Sequence, residues 1–389
     1  MKPVGELSRR KALALLTGAV GAGATGAWST LCAAAQSRNG ARPQAGAIIR
    51  TILKDLPPSA IGNGHILFHE HLSFGAIFYE KMRPANAPQP ATPRTPSVLE
   101  NPEMVLDELR ATGKDGVSLI VDGGHADMGT NYDHLKMIAE KAGVHVVASG
   151  GYYLQTTYPP EVSTQSEEQL VDGLVRDAAR YRWGAFGEIG SSPEMTRDER
   201  KVFSVMAKAQ IRTALPMFTH TSHNGCKACA MEQLDILEKA GCNPKSICIG
   251  HLSDITDDLQ AETHKAIAKR GAFLGFDTVG HRLAQGDAKK VALILKVLEA
   301  GYEDHILASS DFASDPEFKA AGGAGYSSVS TVFLPKLRYA GVKESTITKI
   351  MVENPKRFLT FVPPKNAFSA SRHSSTYPPG RGRASRPSV

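Results

Sequence analysis

Beyond its N-terminal segment the chain has no apolar run long enough to cross a bilayer, which takes about twenty residues. The mature body is therefore expected to make no stable membrane insertion. Cysteine is scarce, five in 389 residues, and Cys32 falls in the N-terminal segment. Cys226-Lys-Ala-Cys229 has no second CxxC to complete a zinc ribbon, so a structural disulfide or free thiols is the expected state. Spacing fixes no pairing among Cys226, Cys229, Cys242 and Cys248. The body also lacks the basic surplus that the net charge of +6 suggests. Residues 1 to 35 carry +3 and residues 365 to 389 carry +5 with no acid, which leaves the body near −2. A pI of 8.9 is then no sign of nucleic-acid binding by the folded domain.

The basic ends have their own reading. Ser8-Arg9-Arg10-Lys11 precedes an Ala/Leu/Gly-rich run from Ala12 to Ala27, and Ala33-Ala34-Ala35 offers a small-residue cleavage site. Paired arginines before a weakly hydrophobic run indicate a twin-arginine-type signal over 1 to 35, although Ala12 stands where such signals usually carry Phe. The mature protein is then expected to be periplasmic or secreted. The Ser/Pro/Arg-rich end, 365 to 389, is expected to be a disordered basic tail. The domain is placed at 36 to 364.

Within that span eight short apolar segments recur: Gly64–Leu72, Gly116–Gly124, Val144–Gly151, Trp183–Gly190, Ala214–Thr221, Ser246–Ser253, Gly271–Thr278 and His305–Asp311. Between them lie amphipathic stretches near 103–112, 132–142, 167–180, 197–211, 229–240, 257–270 and 287–300. Continuous apolar strands alternating with such helices mean a parallel sheet covered by helices. Eight units in an α/β chain predict a single (β/α)8 TIM barrel. A doubly wound open sheet would want a Gly-rich phosphate turn after the first strand, where His69-Glu70-His71 stands instead. Two insertions break the rhythm: the Pro-rich 81–98, read as a lid or a surface loop, and 312–326, ending in Gly322-Gly-Ala-Gly-Tyr326.

In such a barrel the active site lies at the C-terminal strand ends. There the sequence offers His69 and His71, Glu188, His220, His251, Asp277 or Thr278, and Asp311. Histidines one residue apart share a strand face. One such pair is commonplace, but four histidines and two carboxylates at one end of a barrel are metal ligands by type and number. They exceed one tetrahedral ion, so two divalent ions are expected, with zinc the expected metal. His69, His71 and Asp311 would hold the more buried ion, His220 and His251 the more exposed one, and Glu188 would bridge. A hydroxide shared by the ions would be the nucleophile and Asp311 the general base. Asp254 could carry the proton outward, or instead open the helix before Thr256-Asp257-Asp258. His125 and His223 read as pocket or surface-loop histidines, His65 as structural, and Tyr152, Tyr153 and Tyr326 as pocket or barrel-mouth residues.

His69-Glu-His71, Thr219-His220-Thr221, Ile249-Gly-His251 with Asp254, Ser310-Asp311 and Glu353-Asn-Pro-Lys-Arg-Phe-Leu359 together resemble the phosphotriesterase family of the amidohydrolase superfamily, over residues 48 to 362. The resemblance implies a binuclear zinc-type centre in a (β/α)8 barrel. Family members that hydrolyse phosphotriesters bridge their metals with a carboxylated lysine on strand four, but Ala185-Phe-Gly-Glu188-Ile-Gly190 contains no lysine. Glu188, Phe276-Asp277-Thr278 and the Gly322–Tyr326 loop look like the phosphotriesterase-homology branch. Thr278 stands where paraoxon-hydrolysing enzymes carry histidine. The expected activity is metal-dependent hydrolysis of a small ester-like substrate, whether carboxylic ester, lactone or phosphoester. N-acyl amide cleavage on the same centre is the alternative, and a non-catalytic metal-binding or receptor protein the rival class. A homodimer is left open.

Overall fold

Near the start of the described residues lies a small antiparallel ladder, Ile49–Arg50 on Asp55–Leu56, ended by Pro57 and one 3-10 turn, Pro58–Ile61. The structure, a computed structural model, describes residues 44–83, 86–87, 94–223, 225–281, 286–365 and 367–368. The signal segment expected at 1 to 35 lies outside the described residues, as does most of the expected basic tail. Of that tail, Ala367 is buried and Phe368 lies under the Arg50 guanidinium, 3.6 Å from its ring centre. The packed domain therefore extends to Phe368.

Eight parallel strands follow in one sheet whose neighbours run in chain order. They are β1 (His65–Glu70), β2 (Val117–Asp122), β3 (His145–Gly150), β4 (Ala185–Gly190), β5 (Met217–His220), β6 (Ile247–Ile249), β7 (Phe273–Phe276) and β8 (Ile306–Ala308). The outer strands meet through the Asp311 N–H on the His69 carbonyl, 3.2 Å, and the His69 N–H on Ser309 Oγ, 3.0 Å. The predicted (β/α)8 barrel is thus the observed fold. The helices between strands are α1 (Pro102–Lys114), α2 (Tyr132–Ala142), α3 (Glu167–Arg180), α4 (Arg197–Thr213), α5 (Lys227–Lys239), α6 (Glu262–Lys269) and α7 (Asp287–Glu299).

Their starts are written in the sequence as caps. Asn101 and Asn131 accept the first backbone N–H groups of α1 and α2. Ser166 with Gln169, and Thr196 with Glu199, form reciprocal boxes at α3 and α4. Helix α6 begins later than the expected 257, because Asp258 turns to accept the N–H groups of Glu262 and Thr263. The periodicity did not locate the helical run after β8, whose segments Val329–Phe333 and Lys349–Glu353 are π-helical. The Glu353–Leu359 motif closes the bottom of the barrel: the Asn354 amide donates to the carbonyls of Glu303 and Ile306, and Phe358 packs edge-on against Phe68 and Phe273.

Ile66, Phe68, Leu119, Val147, Phe218 and Leu307 belong to the cluster inside the barrel, and Leu67, Ile120 and Phe186 to the larger layer beneath the helices. Three register shifts interrupt the ladders, and two of them reset this alternation at the candidate site. From Leu67 to Glu70 β1 advances three residues while β2 advances two, and β4 gains the same extra residue against β5 between Phe186 and Ile189. Each bulge shifts the inward phase by one residue. Cys226 and Cys229 form a disulfide with a Cα separation of 5.3 Å, and Cys242 and Cys248 are buried free thiols. The described edge of the Pro-rich insertion is fastened by Asp315, which accepts from Ser97 Oγ at 2.6 Å and from the Val98 N–H at 2.9 Å.

The interior is tightest at Gly250, where an added Cβ would lie 1.9 Å from the Thr219 carbonyl and 3.0 Å from Asp277 Oδ2. Gly250→Ala should therefore cost at least about 1 to 3 kcal/mol, measured as a lowered urea midpoint; an unchanged midpoint would contradict this packing.

Candidate metal centre

The β1 bulge turns His69 and His71 inward and sends the acid between them the other way. Glu70 accepts the N–H groups of Ser310 at 2.6 Å and Phe312 at 3.1 Å. It pins the strand-eight loop that carries Asp311, and burial pushes its carboxyl up to about 8 despite those donors. Asp311 and His251 both adopt left-handed backbone, φ 53° and 56°, an uncommon conformation for non-glycine residues that marks over-determined sites. Room for the histidine pair comes from Gly123 at the end of β2, where a Cβ would stand 3.0 Å from His69 Cδ2 and 3.2 Å from His71 Cε1.

All six predicted ligands converge. His71 Nε2 is 2.9 Å from Asp311 Oδ1 and 3.2 Å from Glu188 Oε1. His69 Nε2 is 3.3 Å from Glu188 Oε2 and 3.5 Å from Asp311 Oδ1. On the other side Glu188 Oε2 lies 2.7 Å from His220 Nδ1 and 3.6 Å from His251 Nε2. Glu188 thus faces both groups, Oε1 toward His71 and Oε2 toward His69, His220 and His251. His69, His71, Glu188 and Asp311 each present a ligand atom within 4.8 Å of the others, as do His220, His223 and His251.

The donor set fits a divalent cation. His69 Nε2 and Asp311 Oδ1 are fully buried and make no well-aligned hydrogen bond, although His71 Nε2 stands 2.9 Å from that oxygen, which is how atoms aimed at a shared ion present themselves. His251 Nε2 and His220 Nδ1 stand 2.6 Å apart, a separation that two lone pairs tolerate only with a proton or a cation between or beside them.

Sequence reasoning left Asp277 without a role. Its carboxylate meets His69 Nδ1 at 2.9 Å and His251 Nδ1 at 3.1 Å, and accepts the His251 N–H at 2.7 Å. One buried acid therefore orients an imidazole from each side, fixing which ring nitrogen faces inward. The available signal was a carboxylate at the end of β7 with no other purpose.

Electrostatics follow from burial and neighbours. Burial pushes His69 and His251 toward neutrality, but Asp311 and Glu188 for the first, and Asp277 for the second, outweigh it and hold both imidazoles well above the usual range. His71 rises to about 9 for the same reason, against burial, through Asp311 and Glu188. His220 falls to about 4 under burial and the His251 charge. Burial disfavours ionised Glu188 and Asp311, yet His220 and His69 hold Glu188 well below the usual carboxylate range, and His69 with the His71 hydrogen bond lowers Asp311.

Around the cluster several expectations change. Asp254 opens no helix; Asp258 does that. Instead Asp254 Oδ1 accepts from Thr278 Oγ1 at 2.7 Å and its Oδ2 lies 3.1 Å from His223 Nδ1. Behind Thr278 stands fully buried Lys290, which donates to the Thr278 carbonyl and hydroxyl, the latter at 2.9 Å. His125 is no surface residue: it is fully buried and 3.2 Å from Asp127. His65 bonds Ser330 Oγ at 2.7 Å, away from the centre. Tyr153 reaches the centre, its hydroxyl 3.3 Å from His220 Nε2. Burial and the nearby Glu188 and Asp311 charges keep that phenol protonated. Tyr326 donates to the His71 carbonyl at 2.5 Å. Tyr152 lines a separate cavity of about 550 Å³ with Tyr132, Asp177, Tyr181 and Trp183. His281, not singled out in the sequence, bonds the Ser310 carbonyl and packs on Phe312.

The description "Phosphotriesterase family" fits a match that spans residues 49–359. Human N-acetyltaurine hydrolase is 28% identical over 349 residues, covering 80% of this chain and 98% of that protein. The crystal structure of the Escherichia coli phosphotriesterase homology protein, complexed with phosphate in its active site, matches with TM-score 0.68 and 27% identity over 78% of this chain and all of that one. A resiniferatoxin-binding protein from Rhodobacter sphaeroides matches with TM-score 0.71 and 28% identity, covering 82% and 96%.

The sign of the pH response follows from His71. A folded pKa near 9 against an ordinary 6.5 contributes stability that is fully present below pH 6.5 and lost as pH rises to 9. Chelator-stripped protein should therefore melt at falling temperature across that window, and zinc-loaded protein, whose imidazoles are committed to ions, should not. A stripped protein whose Tm rises from pH 6.5 to 9 would contradict the assignment.

Proposed function

Because the chain belongs to the phosphotriesterase family, and to its phosphotriesterase-homology branch, we propose that it is a two-metal hydrolase of small acyl compounds. The family is one of hydrolases, and the observation that carries the finer reading is Glu188, whose carboxylate stands between the His69–His71 pair and the His220–His251 pair. His69, His71 and Asp311 would hold the inner ion, His220 and His251 the outer, and Glu188 both. Zinc is the metal suggested by an imidazole-rich set with few carboxylates. When bound, such ions supply Lewis acidity toward the substrate oxygen and make water acidic enough to react near neutral pH.

The chain's own groups divide the remaining work. Asp311 is held ionised by His69 and His71 and stands beside both at the centre, so it accepts the proton that attack on the acyl carbon releases. Asp254, held by Thr278 and His223, lies behind His251 as the next carboxylate along an outward proton path. Tyr153 keeps its proton and stands over His220, placed to donate to the substrate oxygen as charge develops there. Asp277 acts through His69 and His251 by fixing their orientation.

The scissile bond is a C–N amide in the first reading. N-acetyltaurine hydrolases align with 80% of this chain, and Thr278 and Glu188 depart from the phosphotriester-cleaving pattern. Ester or lactone cleavage, chemically close at the same acyl carbon, is the second reading.

Asp311→Asn should reduce kcat by about 10²-fold or more, the order that a general base supplies, while the protein retains most of its metal by elemental analysis. Unchanged turnover would remove Asp311 as base. Among N-acyl amino acids and amino sulfonates, lactones, carboxylic esters and phosphotriesters assayed with zinc-loaded protein, the N-acyl amides should give the highest kcat/KM. Preference for phosphotriesters would overturn the substrate reading, and no turnover of any class by a fully metallated protein would favour the receptor reading.

A further inference from the structure

His223 has no place in the ligand set above, yet it completes a triangle of imidazoles. Its ring centre lies 4.3 Å from that of His251 and 5.0 Å from that of His220, and those two are 4.3 Å apart. One ligand atom from each ring falls within 4.8 Å of the others. The side chain of His223 is 57% exposed, against 5% and 0% for His220 and His251, so it sits at the mouth side of the pair.

A surface histidine that merely caps a loop has no reason to bring a ring nitrogen within 4.8 Å of ligand atoms on two buried imidazoles, since like groups repel when protonated and gain little when neutral. One of its nitrogens is accounted for. Nδ1 faces Asp254 Oδ2 at 3.1 Å, and Asp254 is itself fixed by Thr278 and stands 3.5 Å from the Lys290 ammonium. An imidazole whose Nδ1–H is held by a carboxylate carries its lone pair on Nε2, the arrangement in which histidines bind metals. The loop is built to keep it there. The Thr221 hydroxyl donates to the Gly250 carbonyl at 2.9 Å. Gly225, at φ 76°, passes so close to Asp254 that a Cβ would lie 2.8 Å from its carbonyl oxygen. The Cys226–Cys229 disulfide follows immediately.

We propose that His223 is a third imidazole ligand of the outer divalent ion, beside His220 and His251, with Asp254 as the carboxylate that orients it. This rests on the two-metal reading above. It gives the outer ion an all-imidazole set plus shared Glu188, and the inner ion a mixed set of two imidazoles and two carboxylates. It also places one of the outer ion's donors on an exposed loop.

Titration of stripped protein with Co²⁺, followed by visible absorption and by competition with a chromophoric chelator, tests this without reference to activity. Wild-type protein should bind two equivalents. In His223→Ala the first should bind as before, while the second binds about 10- to 100-fold more weakly, with a changed absorption band. His223→Asp, which restores a donor atom, should recover part of that affinity. Both variants should melt as wild type does in the stripped form, because the residue is exposed. A second equivalent with unchanged affinity and spectrum in His223→Ala overturns the ligand assignment alone. Wild-type protein that binds fewer than two equivalents overturns the two-metal reading and this proposal with it.

Discussion

Charge compensation in a space closed to water is the constraint on which the rest of the structure depends. Glu188, Asp277 and Asp311 are each less than 10% exposed, and isolated carboxylates in such surroundings would cost far more than a fold of this size can spare. Among the described residues their ion-pair partners are imidazoles, and these fall into a definite order. Asp277 lies behind His69 and His251 and bonds their outer nitrogens, so it stays paired whatever occupies the centre. Glu188 and Asp311 face the inner nitrogens, where protons and divalent ions compete for the same lone pairs. A barrel needs none of this for its stability, since its helices already bury a continuous apolar layer. In the two-metal reading the acids serve the cation.

That arrangement in turn demands an exact strand phase, and the phase is set by two bulges. Without the extra residue between Leu67 and Glu70, the face that carries Ile66 and Phe68 would present Glu70 inward and turn both histidines toward the helices. Without the one between Phe186 and Ile189, Glu188 would follow Phe186 outward. A shift of one residue inverts every side chain beyond it, so the two bulges decide that the centre contains imidazole and a shared carboxylate.

The barrel was legible because each unit carries its own local signal: an apolar run, an amphipathic period and, at α1 to α4, a capping residue. The convergence of the candidate ligands was legible because strand ends in this architecture converge, so residues far apart in sequence could be assigned to one place without knowing any phase. What failed to show depends on contacts between units. Asp277 could be read as an acid at a strand end, but its two partners come from β1 and the turn after β6. His125 looks like a loop histidine until the packing of Asp127 and Tyr153 buries it. Asp254 resembled a helix cap because its neighbours Asp257 and Asp258 do, and only the fold distinguishes the one that turns toward α6 from the one that turns toward Thr278. The π-helical turns after β8 interrupt the regular period on which sequence reading relies.

Glu188 shows how backbone geometry and side-chain chemistry substitute for one another. A carboxylated lysine on strand four can reach two metals because its side chain is long. Glutamate carries the same pair of oxygens on a much shorter arm, so the missing reach has to come from the main chain. At β4 it does: the extra residue of the bulge lifts Glu188 out of the ladder, and Gly187 before it takes φ 149°, with its missing Cβ replaced by the Phe218 ring, 2.4 Å from where that atom would stand. Any side chain at 187 would push Phe218 away from Phe68 and His69, both of which it touches from inside the barrel. On this backbone the position of Glu188 therefore depends on Gly187 and Phe218. A lysine placed at 188 on this backbone would carry its carbamate past the point where His71 and His220 converge on the present carboxylate.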